Sequence, residues 1–313
     1  MASLAQLTYI VALDTYRHFV TASEKCFVTQ PTLSMQIKKL EEELEVVIFD
    51  RTKQPVVPTD IGQKIIAQAR KTLAAYNQIE AIIQEEKSIV KGTLSVGIIP
   101  TLAPYLIPLF VGRFTRKYPN LQVKLVELMT EDIIEHLHKD LLDAGILVTP
   151  LDEPGILEVP LFFEKMLIYA HESHPFLQKN NITAQELTTP DIWLLTEGHC
   201  FRSQVVNLCA YQTDSKEDTG LIYESGSIET LRKLVDYEGG FTLIPELAVK
   251  DIPQDRRHQV KAFSESTPLR EVSLTYARHY SKQHLIKLLA QEIQQAVPQE
   301  MLNPTRGNVV RWR

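Results

Sequence analysis

The segment "TEGHCFRSQVVNLC", Thr196 to Cys209, holds two of the chain's three cysteines. Cys200 and Cys209 stand nine positions apart, which matches neither the CxxC of a dithiol enzyme nor a zinc-finger spacing. Thiolate is the nucleophilic form, so a reactive cysteine needs a cation or a helix N-terminus to lower its pKa from about 8.5. Gly198, His199 and Arg202 flank Cys200 in a pattern that suits a loop-to-helix junction. If the segment is helical, nine residues span about 13.5 Å and two and a half turns. A disulfide needs Cα atoms within about 7 Å. The two thiols are therefore either incidental core residues or a pair that meets only when the local fold changes. A zinc site at His199, Cys200 and Cys209 lacks a fourth ligand at recognisable spacing. Cys26 lies on the apolar side of a short helix and reads as core.

Other elements must position this segment. Residues 4–13 put Leu4, Leu7, Ile10 and Val11 on one helical face, and a second helix fits Val20–Cys26. "QPTLSMQIKKLEEELE" reads as a third, with Thr29 as N-cap and Pro31 in the first turn. Its Leu33, Ile37, Leu40 and Leu44 form one buried stripe, opposite Thr32, Ser34, Met35, Gln36, Lys38 and Lys39. A short helix, a tight turn and a helix with a polar outer face make a helix-turn-helix. "VVIFDRTKQPVVPTD" suits a two-stranded wing. A long helix from about Ile61 to Lys87, capped by Thr59, repeats Ile65, Ala69, Leu73, Tyr76, Ile79 and Ile83 as a coiled-coil-like seam, which predicts dimerisation. From Thr93, strands such as "TLSVGIIP", "LQVKLVEL", "LDAGILV" and "EKMLIYAH" alternate with helices, which predicts parallel sheets in two α/β lobes with a cleft between them. The expected divisions are 1–60 for the winged helix-turn-helix, 61–91 for the linker helix and 92–313 for the remainder. Its first lobe takes about 92–162 and 268–303, its second about 163–267. The basic tail "NPTRGNVVRWR" is expected to be mobile.

Composition narrows the function. With 313 residues and 44% hydrophobic content, the chain can build more than one core. The N-terminus lacks the basic start of a secretory signal, and no window is long and apolar enough for a membrane span. A soluble, cytoplasmic protein without a membrane partner is expected, where any disulfide is a signal rather than a staple. The net charge is −6, and over residues 1–92 Lys plus Arg equal Asp plus Glu, 11 against 11. A DNA-reading role therefore rests on pattern, not on bulk charge.

That pattern is specific. "VTQPTLSMQIKKLEEELEVVIFDRT" followed by "PTDIG" resembles the N-terminal domain of LysR-type transcriptional regulators, and the resemblance runs through the whole chain. It implies a multidomain fold: a winged helix-turn-helix, a long linker helix, then two α/β subdomains of periplasmic-binding-protein type. "EGHCFRSQVVNLC", "IPTLAPYLIP", "ELMTEDI" and "SIETLRKLVDYEGGFTLIPELAV" further resemble the family's peroxide-sensing members. On that resemblance Cys200 is the peroxide-reacting cysteine and Cys209 the resolving one. Thr101, Thr130, His199 and Arg270 fall on positions that bind or activate hydrogen peroxide. Two positions depart from the pattern: Glu45 replaces a Gly after the recognition helix, and Ser203 replaces an acidic residue.

The resemblance implies a regulator and not an enzyme, with no cofactor. Its partners would be double-stranded promoter DNA, hydrogen peroxide, RNA polymerase, a thiol reductant and further copies of itself, as a dimer through the linker helix and a homotetramer. Gln30, Pro31, Thr32, Ser34, Met35 and Lys38 would meet DNA from the recognition helix, and Arg51 and Lys53 from the wing. Blander readings stand beside these. Thr101 and Thr130 can serve as helix caps, His136 and His138 as solvated helix residues, and Lys38 and Lys39 as surface charge opposed by Glu41, Glu42 and Glu43. A regulator of the same family that binds a small metabolite in the cleft is the alternative, and a peroxide-consuming thiol enzyme is a second.

Overall fold

The computed structural model describes residues 2–86, 90–180, 182–189, 191–209, 225–264, 267–278 and 282–313. The chain divides into two compact units. The first is Met1–Val90 with His136–Asp143 and Ala277–His284, and the second is Lys91–Glu135, Ala144–Tyr276 and Leu285–Arg313.

In the first unit, α1 (Leu4–Tyr16), α2 (Phe19–Lys25) and α3 (Gln30–Leu44) precede a hairpin of β1 (Phe49–Asp50) and β2 (Val57–Pro58), and α4 (Asp60–Glu86) follows. Lys87, where the periodicity places the end of the long helix, lies outside the described residues. Helix α1 starts in a capping box between Ser3 and Gln6, which satisfies two otherwise orphaned N–H groups. Its buried residues are Gln6, Ile10 and Leu13, whereas Leu4, expected on that face, is 39% exposed. As the first helical residue, Leu4 lies beyond the edge of the core. In α3 the predicted cap forms, with Thr29 accepting from the Thr32 amide, and Leu33, Ile37 and Leu40 are fully buried. Burial of each such side chain contributes roughly 1.5–3 kcal/mol. Leu44 is exposed, one residue before the helix ends at Glu45.

The wing is fastened by one carboxylate. Glu41 accepts from the amides of Ile48 (2.8 Å) and Phe49 (3.1 Å) and from Arg51 (2.9 Å). In "PTDIG", a side chain at Gly62 would begin 2.0 Å from the Ile48 carbonyl oxygen, so only glycine allows α4 to pass that strand.

The second unit contains β3 (Gly92–Ile98), α5 (Ala103–Lys117), β4 (Leu121–Glu127), most of α6 (Thr130–His138), β5 (Ala144–Thr149), β6 (Ile156–Ala170), α7 (Cys200–Cys209), α8 (Ile228–Glu238), β7 (Phe241–Pro245), β8 (Val260–Lys261), most of β9 (Pro268–Ala277), most of α9 (Gln283–Ala296) and β10 (Asn308–Val309). Strand order is β4-β3-β5-β9-β6-β7, with β10 on β9 and β8 on β6. Strand β3 is parallel to β4 and β5, but β9 runs antiparallel to β5, and β7 and β8 antiparallel to β6. The expectation of parallel sheets is therefore corrected to mixed ones. The chain leaves the first group of strands through β6 and re-enters through β9, and a returning strand must run against β5. The tail is not free either. Val310 donates its amide to Leu269 (2.8 Å), and Arg306 pairs with Glu246 (2.6 Å).

Candidate functional site

Helix α7 begins where the chain turns through Gly198, whose φ of +90° is left-handed. Such a conformation favours glycine. Cys200 is the first helical residue and Cys209 the last. Neither cysteine is in a disulfide, and both are buried at 3% exposure. Phe201, Gln204 and Val205 complete the helix's buried set. A regular helix separates the two cysteines along its axis by about 13.5 Å. Cys209 points its thiol back at the Val205 carbonyl, 2.7 Å away.

Strand β9 supplies the cation. Arg270 has no solvent exposure, and its guanidinium is held on every side. Nε pairs with Glu164 of β6 (2.6 Å), Nη1 donates to the Thr101 hydroxyl (3.1 Å) and Nη2 to the Thr101 carbonyl (3.0 Å). The Phe201 ring lies 5.0 Å from the guanidinium carbon, within cation–π reach. Burial pushes the Cys200 thiol up from its ordinary pKa. Arg270, the Thr130 hydroxyl and the amides of Phe201 and Cys200 pull it back. The Thr130 hydroxyl is near enough to favour the thiolate, but among the described residues it completes no hydrogen bond of normal geometry. Burial pushes Glu164 upward too, opposed by Arg270.

Thr101, Thr130, Cys200 and Arg270 thus come together. His199 is buried beside them, and that burial lowers its pKa, so it is a neutral neighbour rather than a cation. Arg202, expected beside the thiol, turns to the Leu195 carbonyl (3.0 Å). Sequence reasoning missed two residues of this site. Glu164 carried a signal, as a carboxylate inside the apolar strand "VPLFFEKMLIYA". Gln204 carried none. The Gln204 side chain is fully buried, and its Oε1 has no partner among the described residues. Among the described residues, no group of three or more His, Cys, Asp or Glu could hold a metal ion.

On the helix-turn-helix, Gln30, Pro31, Met35, Lys38 and Lys53 are exposed, and Thr32 and Ser34 are half-buried. Thr32 shares its hydroxyl with the cap Thr29 (2.8 Å). Arg51 is committed to Glu41 and also lies over the Phe19 ring, 5.6 Å from its centre. Phe27, in the turn before α3, is 96% exposed, which its sequence neighbours did not reveal.

Residues 4–63 match the model of bacterial regulatory helix-turn-helix proteins of the lysR family, and residues 88–298 match the LysR substrate binding domain. The chain belongs to the LysR family. Among curated LysR regulators, a hydrogen peroxide-inducible genes activator of Haemophilus influenzae is 35% identical over 276 residues, covering 88% of this chain and 90% of the relative. The transcriptional dual regulator OxyR of Escherichia coli is 34% identical, with 88% and 89% covered. A full-length OxyR variant from Pseudomonas aeruginosa superposes with a TM-score of 0.78 at 34% identity, covering 94% of this chain and 98% of that one. These LysR relatives match along nearly their whole length, so fold and domain order are shared.

Proposed function

We propose that this LysR regulator senses hydrogen peroxide through Cys200 and passes the signal to promoter DNA through a Cys200–Cys209 disulfide. The observation that carries the reading is the Thr130 hydroxyl, buried at 2% exposure, without a conventional hydrogen-bond partner among the described residues, and set against a thiol that Arg270 also faces. A hydroxyl both donates and accepts. Thr130 can therefore hold one peroxide oxygen near sulfur, while the guanidinium opposes the charge of the departing hydroxide. The names of the relatives agree with this reading.

The chemistry proceeds in two steps. Cys200 thiolate attacks one peroxide oxygen, the O–O bond breaks, and hydroxide leaves and takes up a proton to become water. Cys200 is left as sulfenic acid. The Cys209 thiol then attacks that sulfur, the S–S bond forms, and the S–O bond breaks with loss of a second water. The two thiols supply two electrons to one peroxide. Cys209 cannot reach Cys200 while α7 is intact, so the second step requires the helix to unwind. Exposing Phe201 or Val205 costs roughly 1.5–3 kcal/mol each, and the bond holds the lobe in its second packing. Peroxide is consumed as a signal, once per disulfide, and a thiol reductant resets the pair.

On the DNA side, Gln30 can pair bidentately with adenine, Met35 can touch a thymine methyl and Lys53 can hold phosphate. Of the predicted seam, Ile65 and Ala69 pack against the helix-turn-helix core instead, while the exposed Tyr76, Ile79 and Ile83, with Ile82, form the apolar seam of a dimer, and two dimers form a tetramer whose spacing on promoter DNA shifts on oxidation. RNA polymerase and the cytoplasm complete the setting. The test is mass spectrometry of alkylated peptides before and after sub-stoichiometric peroxide, with DNA footprinting of the same samples. A shifted footprint with Cys200 and Cys209 still reduced would replace this reading with the metabolite one.

A further inference from the structure

The segment Asn308–Arg313 is fastened at three places around the thiol site. Its strand β10 pairs in parallel with Pro268 and Leu269, immediately before Arg270. Its carbonyls at Val310 and Arg311 accept from Gln204 (2.6 Å) and Asn207 (3.0 Å) of α7. Arg313 reaches Glu131, the neighbour of Thr130, at 2.6 Å, and the Leu151 carbonyl at 3.1 Å. Gln204 and Asn207 are three residues apart, so they share a helix face only while that turn is helical. Both lie between the cysteines. Consecutive tail carbonyls are thus engaged by a geometry that exists only in the intact helix.

We infer that Asn207, acting through the tail segment Asn308–Arg313, is a positioning residue for disulfide formation: the docked tail holds α7 helical, keeps Cys209 away from Cys200, and lets go when the bond forms. The inference rests on the peroxide reading above. The step it controls is the second one, in which the Cys209 thiol displaces water from the Cys200 sulfenic acid. The first step needs only the helix start, and the Asn207 contact lies at the other end. Asn207 is itself exposed, so truncating it removes the bond to Arg311 without opening the core.

The full-length chain and its Asn207→Ala variant are oxidised with hydrogen peroxide. Sulfenic acid formation is timed by trapping in a Cys209→Ser background, and disulfide formation by quenched-flow mass spectrometry. Loss of one ordinary hydrogen bond predicts disulfide formation about twofold to tenfold faster in the variant, with sulfenic acid formation unchanged. Hydrogen exchange at the Val310 amide, protected in the reduced chain, should accelerate on oxidation. A disulfide that forms while Val310 stays protected, or at the same rate in the variant, overturns the inference alone. Failure of the parent chain to form any Cys200–Cys209 bond overturns the peroxide reading and the inference with it.

Discussion

Arg270 and Glu164 form an ion pair in which neither side chain has any solvent exposure, with Nε and Oε1 2.6 Å apart. A pair this deep is costly to desolvate, and its parts do separate work. Glu164 fixes the guanidinium, and the guanidinium opposes the effect of burial on Cys200.

Arg270→Met is therefore expected to raise the Cys200 pKa further and to slow alkylation and peroxide reduction about tenfold at neutral pH. It also strands Glu164, and breaking such a pair costs on the order of 3–5 kcal/mol. The double variant Arg270→Met with Glu164→Leu should recover most of that stability and none of the reactivity. Iodoacetamide kinetics across pH, beside urea unfolding, measure both. Restored reactivity in the double variant would mean that Arg270 acts on folding alone.

His199 yields a pH prediction of definite sign. Burial lowers its folded-state pKa below the ordinary histidine value of 6.5, so the folded chain prefers the neutral ring. Between the folded and unfolded values the unfolded state binds more protons, and stability rises with pH. This contribution is complete above about pH 6.5 and is lost as pH falls through the folded pKa. Thermal melts of the parent and His199→Gln from pH 7.5 to 5 should show the parent losing more stability on acidification. Parallel curves would place the His199 ring in contact with solvent.

Much of the first unit was legible because its signals are local. The Leu33, Ile37 and Leu40 spacing, the Thr29 cap and the wing residues each act within a few positions, and the structure forms all of them. In the thiol site the cysteines, Thr101, Thr130 and Arg270 were reached through the family resemblance, whereas the carboxylate that holds the guanidinium was not. Glu164 and Arg270 are 106 residues apart and meet because β6 and β9 are neighbours in the sheet. Nothing in the spacing of either segment encodes that. The tail was misread for a related reason: the acceptors it offers α7 are backbone carbonyls, which carry no residue signature.

Glu45 ends α3 with φ 53° and ψ 37°, a left-handed conformation that only glycine adopts without steric cost. Glu45→Gly relieves roughly 1 kcal/mol of strain, partly offset by the greater freedom of glycine in the unfolded chain. A small net gain in the stability of the DNA-binding region is expected. Chemical denaturation followed by a probe in that region checks it. A loss of stability would show that the Glu45 side chain makes a favourable contact outweighing its backbone strain.

Lys53 and Arg51 should behave differently on DNA although both are wing cations. Lys53 is exposed, so Lys53→Ala should weaken binding to every sequence alike and reduce the slope of log K against log salt by about 0.9. Arg51 is bound to Glu41, the carboxylate that also holds the Ile48 and Phe49 amides. Arg51→Ala should therefore lower the melting temperature of the DNA-binding region as well as its affinity, whereas Lys53→Ala should leave melting unchanged. Gln30→Ala completes the contrast by losing discrimination at one base pair, about 1–3 kcal/mol, with little change in salt slope. Anisotropy titrations at several salt concentrations on specific and scrambled DNA separate the three. If Gln30→Ala weakened both DNAs equally, α3 would be holding the backbone and base reading would lie elsewhere on the domain.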